Sequence, residues 1–288
     1  MADLTTTVVV PDRPAGATSR ARPTTGSLTL RAIAVLYVGV LVLVPIVVIF
    51  YRTFQPGLHT VWAALTDHDA VHAFQVTAIV AGTAVVINTV FGVAVGVLLA
   101  RYRFWGSRLL NAFIDLPVAV SPIVVGLALI LVFGPTGWFG PFLNDHGVVV
   151  IAAKPGLVLA TVFVSLPLVV RAVVPVLQQA GMEQDQAAAS LGANAFTRFR
   201  RITLPIIRTA LTYGVVLSIA RCLGEYGAVL VVSNNIEGQT ETVTLRIDNK
   251  VELEQDYAST YALTLVLILV SFIAIGAAAW IRRRRKEA

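Results

Sequence analysis

Residues 178–208 read QQAGMEQDQAAASLGANAFTRFRRITLPIIR, a polar, patterned segment between two long apolar runs. Its Ala, Gln and Glu content favours helix over 179–191, because these side chains lose little freedom on a helix surface. Gly192 supplies the left-handed residue that ends such a helix, and Asn194 is placed to cap a second one over 195–202. Phe196, Phe199 and Ile202 recur at i, i+3 and i+6, giving that second helix one apolar edge while Arg198, Arg200 and Arg201 face elsewhere. The segment therefore reads as a helix-turn-helix hairpin in water, with an aromatic edge that needs a partner.

The flanking apolar runs are 157–177 and 209–232, and four more lie at 32–50, 74–100, 109–133 and 261–281. Each has about the 20 residues that cross ~30 Å of hydrocarbon as helix, the form in which every backbone group is bonded internally. A chain of 288 residues that is 57% hydrophobic and 13% charged, with mean hydropathy +0.80, lacks the polar surface of a water-soluble globule. The expected fold is an all-α membrane protein with six transmembrane helices. Residues 1–28, rich in Thr, Pro, Ala and Arg, read as a disordered tail. The membrane domain spans 29–284, with its core at 73–281, and run 32–50 reads as an uncleaved first span. Pro117, Pro122 and Gly126 in the third span, and Pro167 and Pro175 in the fourth, predict kinks.

Sixteen of the 22 Lys and Arg residues fall before span one, between spans two and three, in the 178–208 segment, or after span six. The positive-inside rule then places both termini and the hairpin in the cytoplasm of a multi-pass inner-membrane protein. The basic residues flank apolar runs and form no single face, which argues against nucleic acid as a partner and leaves membrane lipid. Cys222, the single cysteine, excludes an intrachain disulfide and reads as a buried, inert thiol. His68 and His72, beside Asp67 and Asp69, read as a solvated face.

The pattern Gln186-Ala187-Ala188, Gly192, then Ile202-Thr203-Leu204-Pro205 resembles the EAA loop of bacterial ABC-importer permeases at matching spacing. Gln186 stands where the family carries an acid, and Asp185 adjoins it. Segments Ala220 to Val229, Leu253 to Tyr257 and Leu166 to Leu177 are similar to the CysW-type permeases of sulfate/thiosulfate importers. The resemblance implies the type I ABC-importer architecture, with the loop as the element that docks into an ATPase subunit. Gln186, Ala187, Ala188, Gly192, Phe196, Phe199, Ile202, Leu204 and Pro205 are then the coupling residues. It also implies four kinds of partner or cofactor: a CysT-type second permease, two CysA-type ATPase subunits, a periplasmic or lipid-anchored sulfate-binding protein, and ATP with Mg held by those ATPases. This chain has no GxxxxGK[ST] loop, no set of catalytic groups, and no metal or cofactor site of its own.

Arg221, near the middle of span five, and Glu225, one helical turn on, carry charge inside the membrane. They form either a structural pair or, with Arg171 and Ser121, the lining of an anion path; Asp115 reads as interfacial. The rival readings are a molybdate, tungstate or phosphate permease, a secondary anion transporter run by an ion gradient, and an intramembrane hydrolase.

Overall fold

The computed structural model describes residues 25–283, and every regular element among them is helical. In chain order these are α1 (Thr25–Phe54), α2 (Leu58–Thr66), α3 (His68–Arg101), α4 (Ser107–Ala119), α5 (Pro122–Phe133), α6 (Gly140–Asp145) and α7 (Lys154–Ala180). There follow α8 (Glu183–Ser190), α9 (Ala195–Arg198), a π turn (Phe199–Thr203), α10 (Leu204–Leu223), α11 (Gly227–Ser233), α12 (Val243–Glu252) and α13 (Tyr257–Arg283). The chain divides into two units, one through Val48 and one from Ile49. Most of the expected tail 1–28 lies outside the described residues, but 25–28 already belong to α1.

Five stretches are long and apolar enough to cross a bilayer: Ala32–Phe54, His68–Arg101, Lys154–Ala180, Ala195–Leu223 and Tyr257–Ala277. A sixth exists if α4 and α5, bent by 116° at their junction, count as one. The expected span 109–133 is thus broken. Val120 and Ser121 are extended, with ψ 138° and 136°, because the ring of Pro122 disfavours helical backbone before it. The expected span 209–232 is also two pieces, since the helix stops at Leu223 and α11 starts only at Gly227. By contrast, α7 continues as one helix through Pro167 and Pro175.

In the second unit, α7 is the central helix, with α3, α4, α5, α10 and α11 packed on it. Between helices in lipid there is little hydrophobic drive, so close approach and interhelical hydrogen bonds hold the bundle. A Cβ on Gly92 of α3 would lie 2.7 Å from that of Val169, and one on Gly214 of α10 would lie 3.1 Å from Cα of Val169, so α3 and α10 both close onto α7 there. Val93, Val169, Val173, Leu177 and Ile207 fill the core beneath. Buried Asn88 Nδ2 donates to Ser165 Oγ at 2.7 Å and to the Val162 carbonyl at 3.1 Å, joining α3 to α7. Cys222 is buried beside Ser165.

Candidate coupling hairpin and translocation path

The hairpin is built from local signals. The central span α7 runs to Ala180, so the first hairpin helix is the shorter α8 and not 179–191. Gly192 takes φ +83°, the left-handed conformation that turns the chain, and Asn194 Oδ1 accepts the Thr197 N–H at 2.8 Å to cap α9. No second break separates α9 from the membrane: helix is continuous from Ala195 to Leu223. Pro205 explains the π turn. It cannot donate to the carbonyl four residues back and its ring crowds that carbonyl, so the helix widens, and the Leu204 N–H reaches Phe199, five residues back. The second arm of the hairpin is a rigid extension of a span.

The expected apolar edge of Phe196, Phe199 and Ile202 is divided. Phe196 is 71% exposed, but Phe199 and Leu204 pack on the core around Val93 and Val173, and Ile202 is half-buried. The widened π turn rotates the following residues off the i, i+3, i+6 face. Leu191, 88% exposed at the hairpin tip, joins Phe196 as the uncovered apolar surface, a role its position at the end of a helical run did not disclose. Gln186, Ala187 and Pro205 are exposed, and Ala188 is half-buried.

The hairpin is seated by an ion pair between Arg101, the last residue of α3, and Asp185 of α8. Their side chains are only 4% and 12% exposed. Arg101 was legible as one of the basic residues after span two, yet nothing local in the sequence says that it meets Asp185.

The candidate path charges form two separate pairs. Arg221 lies in the last turn of α10 and not at mid-span. Its Nη1 is 2.5 Å from Oε2 of Glu225, which is buried in the break before α11. Glu225 also holds that break: Oε1 accepts the Ala228 N–H at 3.0 Å, and its carbonyl accepts Thr244 Oγ1 of α12 at 2.9 Å. Arg171 of α7 instead grips Asp115 of α4, with Nε donating to Oδ1 at 2.8 Å and Nη2 to Oδ2. Ser121 is exposed at the start of α5 and makes no cap hydrogen bond. A Cβ on Gly227 would sit 3.2 Å from Cβ of Pro122, so the two broken helices, α5 and α11, begin side by side.

At the end of the bundle away from the hairpin, α12 carries Arg246 into a ring of acids. Glu237 lies 3.0 Å from it, Glu254 3.3 Å, Asp67 3.4 Å, Asp69 3.5 Å and Glu241 3.8 Å. Burial opposes the Arg246 charge, but Glu241, Glu254 and their neighbours outweigh it and raise its pKa. Burial pushes the Glu241 carboxyl up, against the Asn249 hydrogen bond and Arg246. No local pattern in the sequence discloses that these acids converge on Arg246.

Residues 92–287 match the family of binding-protein-dependent transport system inner membrane components. The chain belongs to this family. It is 43% identical over 244 residues to the sulfate transport system permease protein CysW of Escherichia coli strain K12, covering 85% of this chain and 83% of that one. To the sulfate transport system permease protein CysT of Salmonella typhimurium strain LT2 it is 36% identical over 242 residues, 84% and 87% of the two chains. The CysW-type resemblance read from its segments therefore holds. Its fold is that of a chain from the crystal structure of a bacterial ABC transporter that imports the acidic polysaccharide alginate, with TM-score 0.74 at 14% identity, over 90% of this chain and 96% of that one. The chain is thus a multi-pass ABC-importer permease of type I architecture.

Proposed function

We propose that this permease carries sulfate, and thiosulfate with it, into the cytoplasm by alternating access driven by ATP hydrolysis in separate subunits. It would act beside a CysT-type permease, over two CysA-type ATPase subunits, and receive its cargo from a sulfate-binding protein. The hairpin end and both termini face the cytoplasm in this reading, in keeping with the distribution of Lys and Arg. The observation that carries the coupling role is the apolar tip of Leu191 and Phe196 on a helix continuous with a span: a motor subunit that covers the tip can move α10 as a lever. The relatives, named as sulfate transport permeases, support the choice of sulfate. The adjoining breaks at Ser121 and Glu225, with Arg221 beside them, are the proposed gate region. Arg221 offers positive potential there, and Glu225 keeps the anion from lodging.

The test is uptake of labelled sulfate by the assembled importer, with thiosulfate, molybdate, tungstate and phosphate as competitors. Sulfate and thiosulfate should compete, uptake should need ATP, and scrambling the Leu191–Phe196 tip should leave an inserted but idle protein. Uptake that persists without the ATPase, or that molybdate or phosphate blocks first, overturns the assignment.

A further inference from the structure

A cavity of about 330 Å³ opens at the hairpin end of the bundle, between the start of α4 and the last turns of α7. Arg108, Asn111 and Ser107 line it from α4, and Arg171 and Gln178 from α7, with no carboxylate among the lining residues. Asp115 lies one turn along α4 from Asn111 and holds Arg171 through both of its oxygens. Arg108 takes part in none of the ion pairs among the described residues. Two guanidiniums against one carboxylate leave a net positive pocket with amide and hydroxyl donors, the chemistry that binds tetrahedral oxyanions through planar forks. The adjoining loop exposes Tyr102 and Trp105, the residue types that sit at a membrane–water boundary, so the pocket lies at headgroup level.

We propose that this cavity is a two-arginine site for a tetrahedral oxyanion, in which Asp115 holds Arg171 while the site is empty and yields it to the incoming anion. Two sources share that chemistry: a free anion such as sulfate leaving the importer, and the phosphate of an anionic lipid. The site goes beyond the transport reading, since it does not depend on which cargo is carried.

A Ser107→Cys reporter on the rim, in the assembled importer in phosphatidylcholine nanodiscs, tests it; Cys222 is buried and does not compete. The rate of labelling by an anionic methanethiosulfonate is compared with that by a neutral one. The anionic reagent should be favoured, and Arg108→Gln should cut that preference about tenfold, as expected for one unit charge several ångströms away in a partly shielded pocket. Asp115→Asn should raise it. Protection by added sulfate identifies the free anion as occupant, and protection only when phosphatidylglycerol replaces part of the lipid identifies the headgroup. Arg108 is exposed and unpaired, so its loss should not disturb folding. The proposal is overturned if the preference survives Arg108→Gln, or if neither sulfate nor phosphatidylglycerol protects. Uptake is not the readout, so an error in the assigned cargo leaves this result intact.

Discussion

Replacing Asp185 with Asn tests how the hairpin is held. The substitution keeps the size of the side chain but leaves Arg101, 4% exposed, without its carboxylate and near enough to Arg198 to feel its charge. Removing one member of a buried pair costs about 3–5 kcal/mol, because the remaining charge stays desolvated. Asp185 keeps some exposure, so the lower bound applies, and about 3 kcal/mol corresponds to roughly a 100-fold shift toward an unseated hairpin. Hydrogen exchange of the amides over 183–198, measured in the assembled importer, should quicken by up to that factor. Sulfate moved per ATP hydrolysed should fall, since a loose first arm lets the motor's stroke dissipate. Combining Arg101→Asp with Asp185→Arg should restore part of both readouts, which a purely local packing effect would not do. Unchanged exchange and coupling in Asp185→Asn, or a double reversal no better than either single change, would refute the reasoning.

Phe196→Ala and Leu191→Ser should weaken capture of the ATPase subunits without changing thermal stability. Phe199→Ala should instead destabilise the permease by about 2–4 kcal/mol, because Phe199 packs on the core, and co-purification with paired melting curves separates the two classes. Arg221→Ala leaves Glu225, 2% exposed, as an unpaired buried charge and should abolish uptake, whereas Arg221→Lys should retain part of it; full sulfate uptake by a normally assembled Arg221→Ala protein would dismiss the gate role. For Glu241 the folded pKa is raised by burial, so the stability it contributes is present below its unfolded value and lost as pH rises through the raised one. Glu241→Gln should therefore flatten the fall in melting temperature as pH rises above the ordinary carboxylate range.

What was legible in the sequence follows from what local physics can encode. Length and apolarity place α3, α7 and α13 because hydrocarbon thickness sets a minimum run, and Gly192 and Asn194 mark the hairpin because turn and cap chemistry act within a few residues. The breaks at Val120–Ser121 and Gly224–Tyr226 lie inside long, mostly apolar stretches that length and composition read as single spans. Only Pro122 and the spacing of Gly224 and Gly227 hinted at them, and Pro167 and Pro175 show that proline alone does not decide. Pairings such as Arg101 with Asp185, or Arg246 with Asp67, join positions far apart in the chain, and no period or propensity reports them.

The π turn shows how a local rule acquires a remote consequence. Pro205 forbids one hydrogen bond and the helix answers with a wider turn; Phe199, at the start of that turn, packs on the core, while Phe196, one turn nearer the tip, stays in solvent. One end of the same helix is thereby anchored in the bundle and the other is left uncovered. A lever needs that division, because an arm whose aromatic residues all faced solvent would have nothing to push against. Straightening the turn with Pro205→Ala should therefore preserve insertion yet shift Phe199 off its seat, so that hydrogen exchange rises over 199–204 even with the tip residues unchanged.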